Sequence, residues 1–123
     1  MCESMRPVEL VGAAIGEGAP DGRTRAGPAS LKRWGLGARL QARGPAVRWG
    51  PIVESDRSLL PQGRMAVVAE FSRRLARAVG AAVDGGRLPV VVGGDHSCAV
   101  GTWSGVAASL RHGGEARRLG LVA

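Results

Sequence analysis

The chain has 123 residues, 45% of them apolar, and a net charge of +7 carried almost wholly by arginine, since Lys32 is the only lysine. That length suits one small domain with a core, and no apolar run approaches the roughly 20 residues a membrane span needs. Two cysteines, Cys2 and Cys98, make no disulfide framework, and an N-terminus carrying Glu3 without a long apolar core reads as no signal peptide, so a cytoplasmic location is expected. The arginines are spread from Arg6 to Arg118 with only short pairs. Aromatics for base stacking are few (Trp34, Trp49, Trp103 and Phe71), so a solvated basic surface is expected rather than nucleic-acid binding.

Val8 to Ile15 reads as a first strand. Gly16, Gly18, Pro20, Gly22 and Gly27 then punctuate a loop, which is either flexible or close to a ligand. The spacing does not fit the dinucleotide-binding Gly-x-Gly-x-x-Gly fingerprint, and no helix opens directly after it. Gly27-Pro28 starts a short helix with Leu31, Trp34 and Leu36 on its apolar side. From Arg39 to Leu60 the pattern is weak. Ala46 to Trp49 reads as a short edge strand and Gly50-Pro51 as a turn.

From Gln62 to Asp84 the spacing predicts a helix. Met65, Val68, Phe71, Leu75, Val79 and Ala82 recur at intervals of three and four and form a core-facing stripe. Glu70 is placed to pair with Arg73 or Arg74, and Gly85-Gly86 is a stop signal. Pro89 to Val92 is apolar and β-branched, as in a strand buried on both faces. Gly93 and Gly94 break it, and Asp95, His96 and Ser97 occupy the turn. A helix follows from Cys98 to about Leu110, apolar nearly all round, with Gly101 and Gly105 placed to let it approach the sheet closely. Leu119 to Ala123 begins another apolar strand. This alternation of strands and helices predicts an α/β fold with a parallel sheet flanked by helices.

His96 is the principal candidate site residue. It sits at a strand's carboxyl end, where open parallel sheets bind ligands, and imidazole suits a transition metal. Taken alone, a turn histidine with a structural hydrogen bond is the simpler reading. Asp95 has two roles open, as hydrogen-bond partner of a metal ligand or as cap of the following helix, which Ser97 could also cap. Asp95, His96 and Ser97 are not a nucleophilic triad, because consecutive side chains diverge. Cys98 at an apolar helix start reads as packing rather than as a nucleophile. His112 lies near a helix end, away from the strand's carboxyl end, and reads as solvent-exposed.

Gly93-Gly94-Asp95-His96-Ser97, followed by Ala99, Gly101-Thr102 and Ser104-Gly105, resembles the first signature of the arginase (ureohydrolase) family, which contains arginase, agmatinase and formimidoylglutamase. Gly12-Ala13-Ala14, Gly18, Gly22, Gly27-Pro28, Leu31 and Gly35-Leu36 match the family outline, Ala14 standing where a proline is common. The resemblance implies an arginase-like α/β fold and a two-manganese (Mn2+) centre with His96 as first ligand. No catalytic side chain is assigned, and Gly93, Gly94, Asp95 and Ser97 are supporting residues. It implies hydrolysis of L-arginine to L-ornithine and urea in the complete protein, by a metal-activated hydroxide attacking the guanidinium carbon. Agmatinase or another guanidino or formimino hydrolase is the alternative. It further implies a homo-oligomer when complete, with no nucleic-acid or membrane partner. In the family a strand like Leu119 to Ala123 leads into Asp-x-His-x-Asp, and a later Asp-x-Asp completes the ligand set. Neither is present, so residues 1–123 read as the N-terminal part of one domain, apparently truncated. A catalytically inactive product, poorly soluble or oligomeric, is the further alternative.

Overall fold

A computed structural model describes residues 5–112 of the chain. Three strands, β1 (Val8–Ala14), β2 (Val47–Glu54) and β3 (Leu88–Val92), form one sheet in the order β2-β1-β3. Both pairings are parallel, with Leu10 opposite Trp49 on one side and Val90 on the other. Parallel neighbours need crossovers, and helices supply them: α1 (Gly27–Trp34) and α2 (Leu36–Gln41) between β1 and β2, and α3 (Arg64–Asp84) between β2 and β3. α4 (Cys98–His112) follows β3. The expected parallel sheet flanked by helices is present.

The core forms where alternate β1 residues meet one face of α3. Val11, Ala13 and Ile15 pack with Val53 and with Phe71, Leu75 and Val79. Each of these side chains other than Ala13 contributes about 1.5–3 kcal/mol on burial. The helical stripe holds except at its first member. Met65 is 77% exposed while Val67 is fully buried, because Met65 lies at the margin of the arc that faces the sheet. Glu70 pairs with Arg74, one turn on, at 2.6 Å.

Four local expectations are corrected. Gly50-Pro51 is not a turn. β2 runs through it, carrying one extra residue between the pairs Leu10–Trp49 and Gly12–Ile52, a bulge on an edge strand that tolerates proline's missing N–H. β3 is not buried on both faces. Val91 packs at the core margin, but Leu88 and Val90 are 44% and 37% exposed, since α1 and α2 pack on β1 and β2. Trp34 does not join an apolar side: it ends α1 exposed, with the Arg39 guanidinium 4.0 Å from its ring centre. Gly101 and Gly105 approach α3 rather than the sheet. A Cβ on Gly101 would lie 2.7 Å from the Ser72 carbonyl and 2.9 Å from Leu75 Cβ, and one on Gly105 would strike the Ala76 carbonyl. Asp84 and Ser109 also bond across this helix pair. The side chain of His112 and the expected strand at Leu119 to Ala123 lie outside the described residues. No helix among the described residues is long and apolar enough to cross a membrane.

Candidate functional site

With strand order β2-β1-β3, the chain leaves β1 for one side and later returns on the other. The crevice between the carboxyl ends of β1 and β3 is therefore the switch point at which open α/β sheets bind ligands. Two segments meet there, the glycine-rich loop after β1 and the turn after β3. The turn needs both its glycines. Gly93 and Gly94 adopt φ of 83° and 81°, which side chains other than glycine rarely occupy. There is no room for a Cβ either, which would sit 2.5 Å from Pro28 Cδ at Gly93 and 2.5 Å from the Ala13 carbonyl at Gly94.

Asp95 is 6% exposed and holds the two segments together. Its Oδ2 accepts the Gly18 N–H at 2.8 Å, a bond spanning 77 residues of sequence. Its Oδ1 accepts the Ser97 N–H at 2.8 Å and the Ser97 hydroxyl at 2.5 Å, a side-chain turn that leads the backbone into α4. The Asp95 N–H in turn donates to the Ile15 carbonyl at 3.1 Å. Both carboxylate oxygens are thus engaged with donors, and the bonds seen are those of a turn-and-cap residue. Gly18 is glycine for a matching reason: a Cβ there would lie 2.6 Å from Asp95 Oδ1 and 2.7 Å from Ser97 Oγ.

His96 is the exposed residue of the turn. Its carbonyl accepts the Ala99 N–H at 3.2 Å, but among the described residues no group bonds to its imidazole. The described residues thus supply no partner for the structural hydrogen bond of the simpler reading. Among the described residues no three of His, Cys, Asp and Glu converge so as to share a metal ion. A stable site takes three or four ligands. The described residues alone therefore do not fit a metal centre; they offer one open imidazole at its rim. Cys98 is a poor nucleophile, as burial and then the neighbouring Asp95 charge push its thiol pKa up.

The loop after β1 holds a network that residue spacing did not reveal. Glu17 has a 9% exposed side chain. Its carboxylate accepts the Gly16 N–H and the Ser55 hydroxyl, each at 3.0 Å, and faces Arg57 at 3.6 Å. Arg25 donates to the Ser55 hydroxyl and carbonyl at 3.1 and 3.2 Å. Burial works to raise the Glu17 pKa, but the bonds from Gly16 and Ser55 and the Arg25 charge outweigh it and hold the carboxyl below its ordinary value. A carboxylate and a guanidinium inside an otherwise glycine-rich loop were the available signal.

The geometry agrees with known proteins. A sequence profile described as the Arginase family matches residues 6–123. Arginase-1 of Rattus norvegicus is 33% identical over 110 residues, which are 85% of this chain and 34% of that protein. Arginase of Bacillus caldovelox is 35% identical over 111 residues, 84% of this chain and 37% of that one. Among solved structures, arginase from Bacillus subtilis superposes with a TM-score of 0.71 at 25% identity, over 84% of this chain and 34% of that chain. The native structure of the Bacillus caldovelox enzyme gives 0.69 at 32% identity, over 85% and 37%. The chain thus spans about a third of the length of the relatives it matches. With the signature turn at the switch point and a profile matched from residue 6 to residue 123, the chain belongs to the arginase family.

Proposed function

We propose that residues 1–123 are the N-terminal part of a single arginase-like α/β domain, and that the complete protein hydrolyses a guanidino substrate, L-arginine, to L-ornithine and urea. The observation that carries this reading is the Gly93–Ser97 turn. Asp95 fixes it to the loop after β1, and His96 is left outward with a ring unbonded among the described residues. A histidine exposed on a turn that Asp95 holds, its ring unbonded among the described residues, is placed to bind something beyond them. In the complete protein His96 supplies one ligand to a two-manganese centre. Gly93, Gly94, Asp95 and Ser97 place it there without touching the metal.

L-Arginine is preferred to agmatine on two grounds. The turn continues as Ala99-x-Gly101-Thr102-x-Ser104-Gly105, and the curated relatives named above are arginases. The complete protein is cytoplasmic and homo-oligomeric in this reading. For the 123-residue chain itself, one candidate ligand supports a non-catalytic reading: it releases no urea from arginine above a metal-only blank.

The test is His96→Ala in the complete protein, with bound manganese and urea release from L-arginine and from agmatine measured side by side. Loss of about half the manganese and a large fall in turnover, with the fold retained, are expected. Unchanged metal content and rate would remove His96 from the site. Faster release from agmatine would overturn the substrate assignment.

A further inference from the structure

On the β2 side of the switch point, the loop after β1 and the start of α3 border an open pocket of about 430 Å3. Four guanidinium groups line it, those of Arg23, Arg25, Arg57 and Arg64, against two carboxylates, Glu17 and Asp21. The carboxylates have internal partners. Asp21 accepts from Arg23 Nε at 2.5 Å and from the Arg23 N–H at 3.0 Å. Glu17 is held by Gly16 and Ser55 and faces Arg57. Arg25 and Arg64 are different. Arg25 bonds to the hydroxyl and carbonyl of Ser55, and Arg64 bonds to the Ala19 carbonyl at 3.2 Å. Among the described residues, neither has a carboxylate within salt-bridge distance.

The cavity therefore carries an excess of two positive charges over its own carboxylates, and two of its guanidinium groups retain donors unused by any described carboxylate. Arg64 opens the 21-residue α3, whose N-terminus no side chain caps, so the helix dipole adds to the same positive potential. Guanidinium donors match paired oxygens on one centre, as in a phosphate or carboxylate, and charge-assisted bonds of this kind are the stronger class.

We infer that this cavity is an oxyanion-binding site, with Arg25 and Arg64 as its principal donors, taking a phosphate or the carboxylate of a small acid. The inference does not depend on His96 or on any metal. It concerns the loop whose Gly18 N–H is bonded to Asp95, so an occupant would brace the segment that fixes the signature turn.

Calorimetric titration of the 123-residue chain with inorganic phosphate, with succinate, and with sodium chloride at matched ionic strength tests it. Saturable binding of phosphate or succinate is expected, with none for chloride. Affinity should fall at least about tenfold in Arg64→Gln and in Arg25→Gln, the loss of one charge-assisted bond, and stay unchanged in Arg73→Gln, an exposed arginine outside the cavity. Arg64 is exposed at the helix start, so its variant remains informative even if Arg25→Gln loosens the fold. Binding of phosphate alone assigns a free phosphate, and binding of succinate alone assigns a carboxylate. No saturable binding of either anion overturns the inference, as does equal affinity in Arg64→Gln.

Discussion

Asp95→Asn isolates one bond at the centre of the fold. The asparagine carbonyl can replace Oδ1 and keep the Ser97 N–H and hydroxyl, but its amide nitrogen then takes the place of Oδ2 and points N–H groups at the Gly18 N–H. Rotating the amide restores the Gly18 bond and forfeits the two from Ser97. Either way the residue, 6% exposed, leaves a buried donor unsatisfied. A hydrogen bond to a charged group contributes about 1.5–3 kcal/mol, so a loss of about 2 kcal/mol is expected, and about twice that in Asp95→Ala. For a chain of this size, 2 kcal/mol lowers Tm by about 6–8 °C. Urea unfolding followed by tryptophan fluorescence measures the stability, and hydrogen exchange at the Gly18 amide reports the bond itself. A change under about 0.5 kcal/mol with Gly18 protection intact would refute the claim that this carboxylate ties the loop to the turn.

Gly105→Ala should destabilise by about 1–3 kcal/mol, because its Cβ meets the Ala76 carbonyl and Val79 Cβ and the helices must part; an unchanged urea midpoint would show that α3 and α4 are not in close contact. Glu17 has a pKa below its ordinary 4.5 when folded, so the unfolded chain takes up the proton first and stability is lost as pH falls below that value. Subtracting the pH profile of Glu17→Gln from that of the parent should show this loss on the acid side, and a flat difference would remove the Glu17 contribution. Cys98, with its pKa pushed up, should react with iodoacetamide more slowly at neutral pH than an unhindered cysteine, measured in a Cys2→Ser background. A faster rate would mean an activated thiol.

The α3 helix was legible because an amphipathic stripe is a local property: Phe71, Leu75, Val79 and Ala82 would face one way in any fold. The turn at Gly93–Ser97 was legible for a second reason, that only glycine fits two successive left-handed positions pressed against Pro28 and Ala13. What the chain did not disclose depends on neighbours remote in sequence. Gly50-Pro51 becomes a bulge rather than a turn only because β1 lies alongside β2 to carry the register across it. Gly101 and Gly105 face a helix, not a sheet, because α4 docks on α3. The exposure of Leu88 and Val90 follows from where α1 and α2 stop covering the sheet. At the site, the bond of Asp95 to Gly18, 77 residues away, and that of Glu17 to Ser55, 38 residues away, have no local signal at all.

The strand order has a consequence for how the chain is made. β1 leaves the ribosome before either strand it pairs with, because it is central and both its neighbours lie later in sequence, β3 ending at Val92. By contrast, α3 and α4 pack on one another within residues 64–112, with only β3 and its turn between them, so their loop-closure cost is small. Nucleation is expected in that later stretch, with Val8–Ala14 held as an unpaired apolar segment until it forms. Destabilising substitutions in β1 should then mainly accelerate unfolding, whereas those at the α3–α4 crossing should slow refolding. During synthesis the same order leaves β1 without its second partner strand for roughly 80 residues of elongation, several seconds at the usual 5–20 residues per second.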